Sequence, residues 1–145
     1  MFLLIALAVL LVDQASKFFI INTMFQGLSI PVIPNIFHIT YIHNPGAAFG
    51  MLANRTSFFI AVSLIVIAGI VFFHLRAGVK RGIMPIATGF VVGGAAGNLI
   101  DRIRFGSVVD FIDLRVWPVF NLADTAIVIG AGLLIIVLWK AESKS

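Results

Sequence analysis

Four apolar segments of the chain are each long enough to cross a lipid bilayer. A transmembrane helix needs about 20 predominantly apolar residues, so four of them would use roughly 80 of the 145 residues. We therefore predict an all-α polytopic membrane protein with one membrane-embedded domain over residues 1–145. The predicted transmembrane helices are residues 2–21, 57–75, 83–100 and 123–139.

The amino-acid composition excludes a soluble domain and a disordered chain. Hydrophobic residues make up 61% of the sequence and charged residues 11%, whereas a soluble domain has about 45–50% apolar and about 25% charged residues. The chain has no cysteine, which excludes a thiol nucleophile, a disulfide framework and a thiolate metal site. We attribute the net charge of +4 to basic loops beside a membrane rather than to nucleic-acid binding.

The first apolar segment could be mistaken for a cleaved signal peptide. However, no basic region precedes it and no small-x-small cleavage site follows it, so we expect it to be retained as a helix. Asp13 and Lys17 interrupt this segment four positions apart. That spacing favours an ion pair, which would make the insertion of both charges less unfavourable.

Two longer connections are predicted to lie on the same side of the membrane. Residues 22–56 contain three prolines, and residues 36–42 are rich in β-branched and aromatic side chains, which indicates a strand. We expect a small extracytoplasmic β-rich subdomain between the first two helices. Residues 101–119 contain three aspartates and three arginines, and we predict a second outward loop there.

The distribution of basic residues predicts the orientation in the membrane. Four spans place both termini on one side, together with the short turn at residues 76–82. That side carries five basic residues and the other side carries four, so the positive-inside rule favours cytoplasmic termini. The five are Arg76, Lys80, Arg81, Lys140 and Lys144, and the four are Arg55, Arg102, Arg104 and Arg115.

Four of the six acidic residues lie between residues 101 and 124. Carboxylates at a membrane boundary are energetically unfavourable and are therefore functional candidates. The alternative is that they form surface ion pairs with nearby arginines. Asp110 lies inside an apolar run, where strand alternation would place it on one face with Val108 and Ile112. A solvated loop does not require such neighbours for an aspartate.

Asp124 lies in the first turn of the fourth predicted helix, three residues after Asn121. Asn121 is a good N-cap residue, and an acid three positions later resembles a capping box, so helix capping alone would explain both residues. The functional interpretation uses the same geometry, because a helix N-terminus stabilises an ionised carboxylate. If Asp110 and Asp124 converge, one can ionise while the other holds a proton, which is the arrangement that activates water for amide hydrolysis. Spacing alone does not show that they converge.

Further polar residues accompany the third predicted helix. Glycines recur every four residues over 89–97 and give this helix a smooth face for close packing. Asp101 continues that face, while Asn98 and Arg102 are four apart and can lie together beside a polar substrate. Asn44, in the turn after the predicted strand, either caps that turn or binds a peptide backbone.

The sequence contains no pattern that indicates a metal site. His38, His43 and His74 share no metal-ligand spacing, and neither HExxH nor GxSxG occurs. We therefore expect neither a metal ion nor a cofactor.

Five sequence blocks occur in a fixed order along nearly the whole chain. They are Asp13-Gln14-x-Ser16-Lys17, Asn44-Pro45-Gly46-Ala47-Ala48-Phe49, Gly93-Gly94-Ala95-Ala96-Gly97-Asn98-Leu99-Ile100-Asp101-Arg102, Val108-Val109-Asp110-Phe111 and Phe120-Asn121-Leu122-Ala123-Asp124. Together they resemble the bacterial lipoprotein signal peptidases (signal peptidase II). Five ordered blocks are a far more specific signal than any one of them.

The resemblance implies an intramembrane aspartic endopeptidase of the bacterial cytoplasmic membrane, without metal or cofactor. Its substrate would be a prolipoprotein with diacylglycerol on a cysteine, and the cut would fall just before that cysteine. The enzyme would work among membrane lipids, and globomycin-type compounds would inhibit it. The catalytic pair would be Asp110 and Asp124, facing the extracytoplasmic side. The resemblance assigns substrate binding to Asn44, Asn98, Arg102 and Asn121, and supporting positions to Asp13 and Asp101. It assigns no role to Asp113, for which we expect a surface position.

Two other classes of protein compete with this interpretation. A small proton-coupled transporter would place acids near the middle of several helices, whereas the sequence places only Asp13 deep in a predicted helix. A non-catalytic four-helix scaffold would leave the aspartates between 108 and 124 unexplained. A presenilin-type protease is disfavoured because no Gly-x-Gly-Asp motif is present.

Overall fold

The computed structural model describes residues 1–46, 55–77 and 82–142. Four of its helices are long and apolar enough to cross a membrane, which confirms the four-span prediction. The helices are α1 (Phe2–Thr23), α2 (Thr56–Ala77), α3 (Ile83–Phe105) and α4 (Leu122–Glu142), and the strands are β1 (Ser29–Ile33), β2 (Phe37–Asn44) and β3 (Val108–Asp113). Several residues of the quoted motifs lie outside the described residues, namely Ala47, Ala48, Phe49, Lys80, Arg81 and Lys144.

Helix α3 is the most buried of the four and packs against α1 and α4 through its glycines. A Cβ atom on Gly93 would lie 2.6 Å from the carbonyl oxygen of Ala6 in α1. A Cβ atom on Gly94 would overlap the carbonyl oxygen of Ala123 in α4. The predicted glycine face therefore contacts α1, and Gly94 adds a second close contact on the α4 side.

The three strands form one antiparallel sheet in the order β1-β2-β3. β3 follows α3, so the outer subdomain predicted between the first two helices is completed by a strand from the second predicted loop. The second predicted loop begins later than residue 101, because residues 101–105 continue α3. Gly106 ends this helix with a left-handed φ of 73°. β1 was not predicted because it contains Pro31, which an edge strand tolerates.

A small apolar cluster joins the sheet to the end of α1. Its members are Ile20, Met24, Tyr41, Val109 and Phe111. β3 is buried on both faces, although the alternation of side chains along a strand often leaves one face exposed to solvent. Asp110 in this strand is only 1% exposed. The strand that carries this carboxylate is therefore enclosed by protein.

The connections between helices and strands show which helix ends lie next to the sheet. β1 follows α1 and β3 follows α3, and both strands flank β2, so α1 and α3 end at the sheet. The segment before α4 forms a bridge from Phe120 to Ile112 of β3, so α4 begins at the sheet. The first residue of α1 and the last residue of α4 therefore lie at the opposite end of the bundle.

Candidate active site

Asp110 and Asp124 line the same cavity, which has a volume of about 360 Å³. Asp110 comes from β3 and Asp124 from the first turn of α4. Asn44, Asn98 and Arg102 line the same cavity, together with Trp117, Pro118, Val119, Phe120, Ile127 and Val128. Asn121 lies directly behind it and is fully buried. The fold thus brings together all six residues for which catalysis or substrate binding was predicted.

Both carboxylate oxygens of Asp110 accept hydrogen bonds from amide side chains. Asn44 Nδ2 donates to Oδ2 at 2.9 Å, and Asn121 Nδ2 donates to Oδ1 at 2.7 Å. Burial, followed by the negative charge of Asp124, raises the pKa of Asp110 to about 7, although the two amides oppose this shift. Asp110 can therefore hold a proton near neutral pH.

Asp124 is held by Asn98 and by the N-cap of its own helix. Asn98 Nδ2 donates to Asp124 Oδ1 at 2.7 Å. The backbone N–H of Asp124 donates to Asn121 Oδ1 at 2.9 Å, while the N–H of Asn121 donates to Asp124 Oδ2 at 3.4 Å. This reciprocal pair is a capping box. Helix capping therefore applies to both residues, and Asp124 also lines the cavity.

Each of the three amides has its oxygen occupied by an N–H donor. Asn44 Oδ1 accepts from the backbone of Gly46 at 3.0 Å, and Asn121 Oδ1 accepts from the backbone of Asp124. Asn98 Oδ1 accepts from Lys17 Nζ at 3.1 Å. Because an amide group has its oxygen and its NH₂ on opposite branches, each NH₂ is left to face a carboxylate.

Arg102 lies at the cavity wall between α3 and α2. Its guanidinium carbon lies 4.7 Å from the centre of the Phe59 ring, within the range of a cation–π contact. Its Nη2 donates to the carbonyl of Gly46 at 3.4 Å. This contact ties the end of α3 to the segment directly after Asn44, the last residue of β2.

Asp13 and Asp101 lie behind the cavity and share Lys17. Lys17 Nζ lies 2.9 Å from Asp13 Oδ2, which is the predicted ion pair, and 2.9 Å from Asp101 Oδ2. Asp13 Oδ1 also accepts from the backbone N–H of Ala123, and Asp101 Oδ2 accepts from that of Val109, both at 3.0 Å. Each supporting carboxylate thus holds the residue directly before one of the two cavity aspartates.

Asp101 and Asp113 differ from their predicted settings. Asp101 was placed in a polar loop with arginines as partners, but it lies in the last turn of α3, is 1% exposed and pairs with Lys17. Asp113 was expected at the surface and is 5% exposed. It has the arginine partner of the surface alternative, Arg115 at 3.1 Å, and also accepts from Thr40 Oγ1 at 2.7 Å.

The setting of Asp113 stabilises its charged form. Burial alone would raise its pKa, but the hydrogen bonds from Thr40 and from the backbone and side chain of Arg115 outweigh that effect. The pKa of Asp113 is therefore held below its ordinary value of 3.8. Asp113 does not line the cavity that Asp110 and Asp124 share.

Gln14 and Lys17 are residues of this network for which no role in the site was predicted. Gln14 Nε2 donates to Asp13 Oδ2 at 3.2 Å and to Asp101 Oδ1 at 3.1 Å. Lys17 pairs with both carboxylates. Its signal was a charged residue inside an apolar segment, which we interpreted only as the partner of Asp13. Among the residues that the structure describes, no three His, Asp or Glu side chains are grouped to hold a metal ion.

Comparison with known proteins identifies relatives over almost the full chain. A family model described as Signal peptidase (SPase) II matches residues 5–140. The chain is 48% identical to a protein named Lipoprotein signal peptidase from Halothermothrix orenii, covering 96% of this chain and 95% of that protein. It is 52% identical to a protein of the same name from Pelotomaculum thermopropionicum, covering 100% and 96%.

Solved structures agree with this assignment. A bacterial membrane enzyme structure determined at 2.3 Å superposes with a TM-score of 0.92 at 38% identity, over 99% of this chain and 90% of that chain. A second, determined at 1.9 Å, gives a TM-score of 0.84 at 39% identity, over 94% and 91%. The match to the family model, the sequence relatives and the shared fold establish that the chain belongs to the signal peptidase II family of bacterial membrane peptidases.

Proposed function

We propose that the chain is an aspartic endopeptidase that removes the signal peptide from diacylglyceryl-modified prolipoproteins, cutting just before the lipidated cysteine. The observation that carries this proposal is the placement of Asp110 and Asp124 on one cavity, each held by amide donors. The raised pKa of Asp110 supports it, because an aspartic peptidase needs one protonated and one ionised carboxylate.

The two carboxylates divide the acid and base roles. Asp124 begins the cycle ionised, since it lies at the N-terminus of α4, where the helix dipole stabilises negative charge. It takes a proton from a water molecule as the water oxygen attacks the scissile carbonyl carbon. Asp110 gives its proton to the carbonyl oxygen, and a tetrahedral diol forms.

Collapse of the diol restores both aspartates. Asp124 gives its proton to the leaving amide nitrogen as the C–N bond breaks, and one diol hydroxyl returns a proton to Asp110. The products are a carboxylic acid on the signal peptide and an amine on the lipidated cysteine. No proton or charge is left over, so the enzyme needs no other reactant than water.

The remaining cavity groups suit a lipid-modified peptide. The amides of Asn44, Asn98 and Asn121 are engaged with carboxylates, which leaves the Arg102 guanidinium to donate to a substrate carbonyl. A second, largely apolar cavity of about 390 Å³ shares Trp117, Phe120, Asp124 and Val128 with the first. Its apolar wall suits the acyl chains of the substrate and of surrounding membrane lipids. Globomycin-type inhibitors would compete for the same space.

The test is replacement of each aspartate by asparagine, which is nearly the same size but does not exchange a proton in this way. Asp110→Asn and Asp124→Asn should each lower turnover of a diacylglyceryl-modified precursor by about 10²–10⁴-fold or more, because general acid–base participation is lost. Asp113→Asn is the matched control and should retain turnover, since Asp113 does not line the cavity.

Three results would overturn the proposal. Near-normal turnover in either Asp110→Asn or Asp124→Asn would exclude the acid–base pair, and an inactive, folded Asp113→Asn would mean that the wrong pair was chosen. The same assay with a chelator tests the metal-independent chemistry. Activity that a chelator abolishes and zinc restores would exclude this metal-independent mechanism.

A further inference from the structure

Lys17 is a lysine buried in the middle of α1, with only 2% of its side chain exposed. An ammonium group has three N–H donors and no acceptor. All three have partners, because Nζ lies 2.9 Å from Asp13 Oδ2, 2.9 Å from Asp101 Oδ2 and 3.1 Å from Asn98 Oδ1. Two of these partners are carboxylates, and the third is a neutral amide on the cavity wall.

The contact with Asn98 determines which way that amide points. Because an ammonium group cannot accept a hydrogen bond, only the oxygen of Asn98 can face Lys17. Asn121 Nδ2 donates to the same oxygen at 3.1 Å. The NH₂ of Asn98 is therefore directed to Asp124 Oδ1, at 2.7 Å. The reversed amide would place donors against donors at Lys17 and oxygen against oxygen at Asp124.

We propose that Lys17 is a positioning residue of the peptidase, which together with Asn121 fixes the orientation of Asn98 and through it the Asp124 carboxylate. This inference rests on the proposed role of Asp124. It differs from simple charge neutralisation, since Lys17 would neutralise Asp13 and Asp101 equally well without reaching Asn98. The contact at Asn98 Oδ1 is the part of the network that a purely structural role does not require.

A double-mutant cycle between Lys17 and Asn98 tests the proposal. Lys17→Met is made in the natural chain and in Asn98→Ala, and kcat and KM are measured on a diacylglyceryl-modified precursor. In the natural chain, Lys17→Met should lower kcat by about 10–10²-fold, the order expected for a misplaced catalytic group, with KM little changed. In Asn98→Ala, the same change should have little further effect on kcat, because the link to Asp124 is already absent.

Lys17→Met leaves Asp13 and Asp101 without their cation, and a buried charge that loses its partner is strongly destabilising. A second variant, Lys17→Met with Asp101→Asn, removes one positive and one negative charge together. Its kcat is compared with that of Asp101→Asn alone, so that the difference reports on Lys17. If both Lys17 variants fail to fold while Asp101→Asn folds, Lys17 has a structural role only and the proposal is wrong.

Thr88→Val is the control for general destabilisation. Thr88 is buried in α3 and bonds to His74 at 2.6 Å, and it does not line the cavity. This variant should lower thermal stability without changing kcat. An equal loss of kcat in Thr88→Val, or equal effects of Lys17→Met with and without Asn98, would overturn the positioning role.

The outcomes for the two proposals can be separated. Asp110→Asn and Asp124→Asn are assayed beside the cycle. If they are active, the aspartic mechanism fails whatever the cycle gives. If they are inactive and the Lys17 and Asn98 effects simply add, only the positioning role of Lys17 fails.

Discussion

Asp110 combines two opposing influences in one side chain. Burial and the charge of Asp124 favour its neutral form, and the amides of Asn44 and Asn121 favour its charged form. Burial and the charge of Asp124 outweigh the two amides, and the pKa of Asp110 is raised to about 7. As the proposed acid, Asp110 must be protonated to act, so kcat/KM should fall as pH rises above about 7. A pH–rate profile checks this, and an alkaline limb several units higher would contradict it.

The same pKa has a consequence for stability. The folded protein holds a proton on Asp110 that the unfolded chain loses above pH 3.8, so this group lowers stability as pH rises from there to about 7. Asn at this position has no such dependence. The unfolding temperature of Asp110→Asn relative to the natural chain should therefore increase over that pH range and then level off.

Asp113, in the same strand as Asp110, has a pKa shift in the opposite direction. Its folded pKa is depressed, so it contributes stability above its unfolded pKa, and that contribution is lost as pH falls through the lower folded value. Asp113→Asn should lower the unfolding temperature at pH 7, and the difference should shrink as pH falls below 3.8. Thermal unfolding in detergent at both pH values measures it. A difference that does not depend on pH would assign the loss to packing instead of charge.

The sequence predicted several polar residues that line the cavity, but not their contacts. Asn121 and Asp124 were recognisable because a capping box is local, and its two members are three positions apart. Asn98 and Lys17 are 81 positions apart, and no local rule relates them. The depth of Asp124 was also missed. The N–H of its neighbour Ala123 reaches Asp13, which lies about 15 Å before the end of α1 at 1.5 Å per residue.

At the scale of the helices, the contact between α3 and α4 positions the site, because the bond from Asn98 to Asp124 crosses it. A Cβ atom on Gly130 in α4 would lie 2.6 Å from the carbonyl oxygen of Ala87 in α3. Gly130→Ala should therefore separate the helices, lower stability by about 1–3 kcal/mol and reduce turnover. Thermal unfolding and the cleavage assay measure the two effects.

Gly132 provides a matched control on the same helix. A Cβ atom there would meet no heavy atom within 4 Å. Gly132→Ala should leave turnover unchanged and the unfolding temperature equal or slightly higher, since alanine favours a helix over glycine by about 1 kcal/mol. Equal losses in the two variants would show that close packing at Gly130 is not the cause.

The helices were more predictable than the strands for a physical reason. Long apolar runs need no partner to be recognised as membrane spans, which is why all four were found. Strands are stabilised by their neighbours, and β1 contains a proline and is exposed throughout. Only its pairing with β2 makes it a strand. The last turn of α3 was missed because its polar residues resemble a loop until Lys17 and Val109 are known to be partners of Asp101.

At the scale of the whole molecule, the sheet and the termini lie at opposite ends of the helical bundle. Two strands come from the α1–α2 connection and one from the α3–α4 connection, and the cavity is lined by residues of β2 and β3 together with residues of α3 and α4. Asn44 at the end of β2 reaches Asp110 in β3 across 66 positions of sequence. The cavity therefore combines residues from both connections with residues of α3 and α4, and no single segment carries it.

The orientation of this bundle decides which compartment the cavity faces. The predicted turn at residues 76–82 and the C-terminal residues carry the five basic residues for which the positive-inside rule predicts a cytoplasmic location, and the structure places Arg76 in α2 and Lys140 in α4. We therefore expect a reporter near Gln26, which is exposed at the sheet end, to be cleaved by protease added to intact spheroplasts. Reporters in the 76–82 turn and at Ser145 should be protected until the spheroplasts are lysed. Cleavage of the predicted 76–82 turn from outside would show that the topology is inverted and that the cavity faces the cytoplasm.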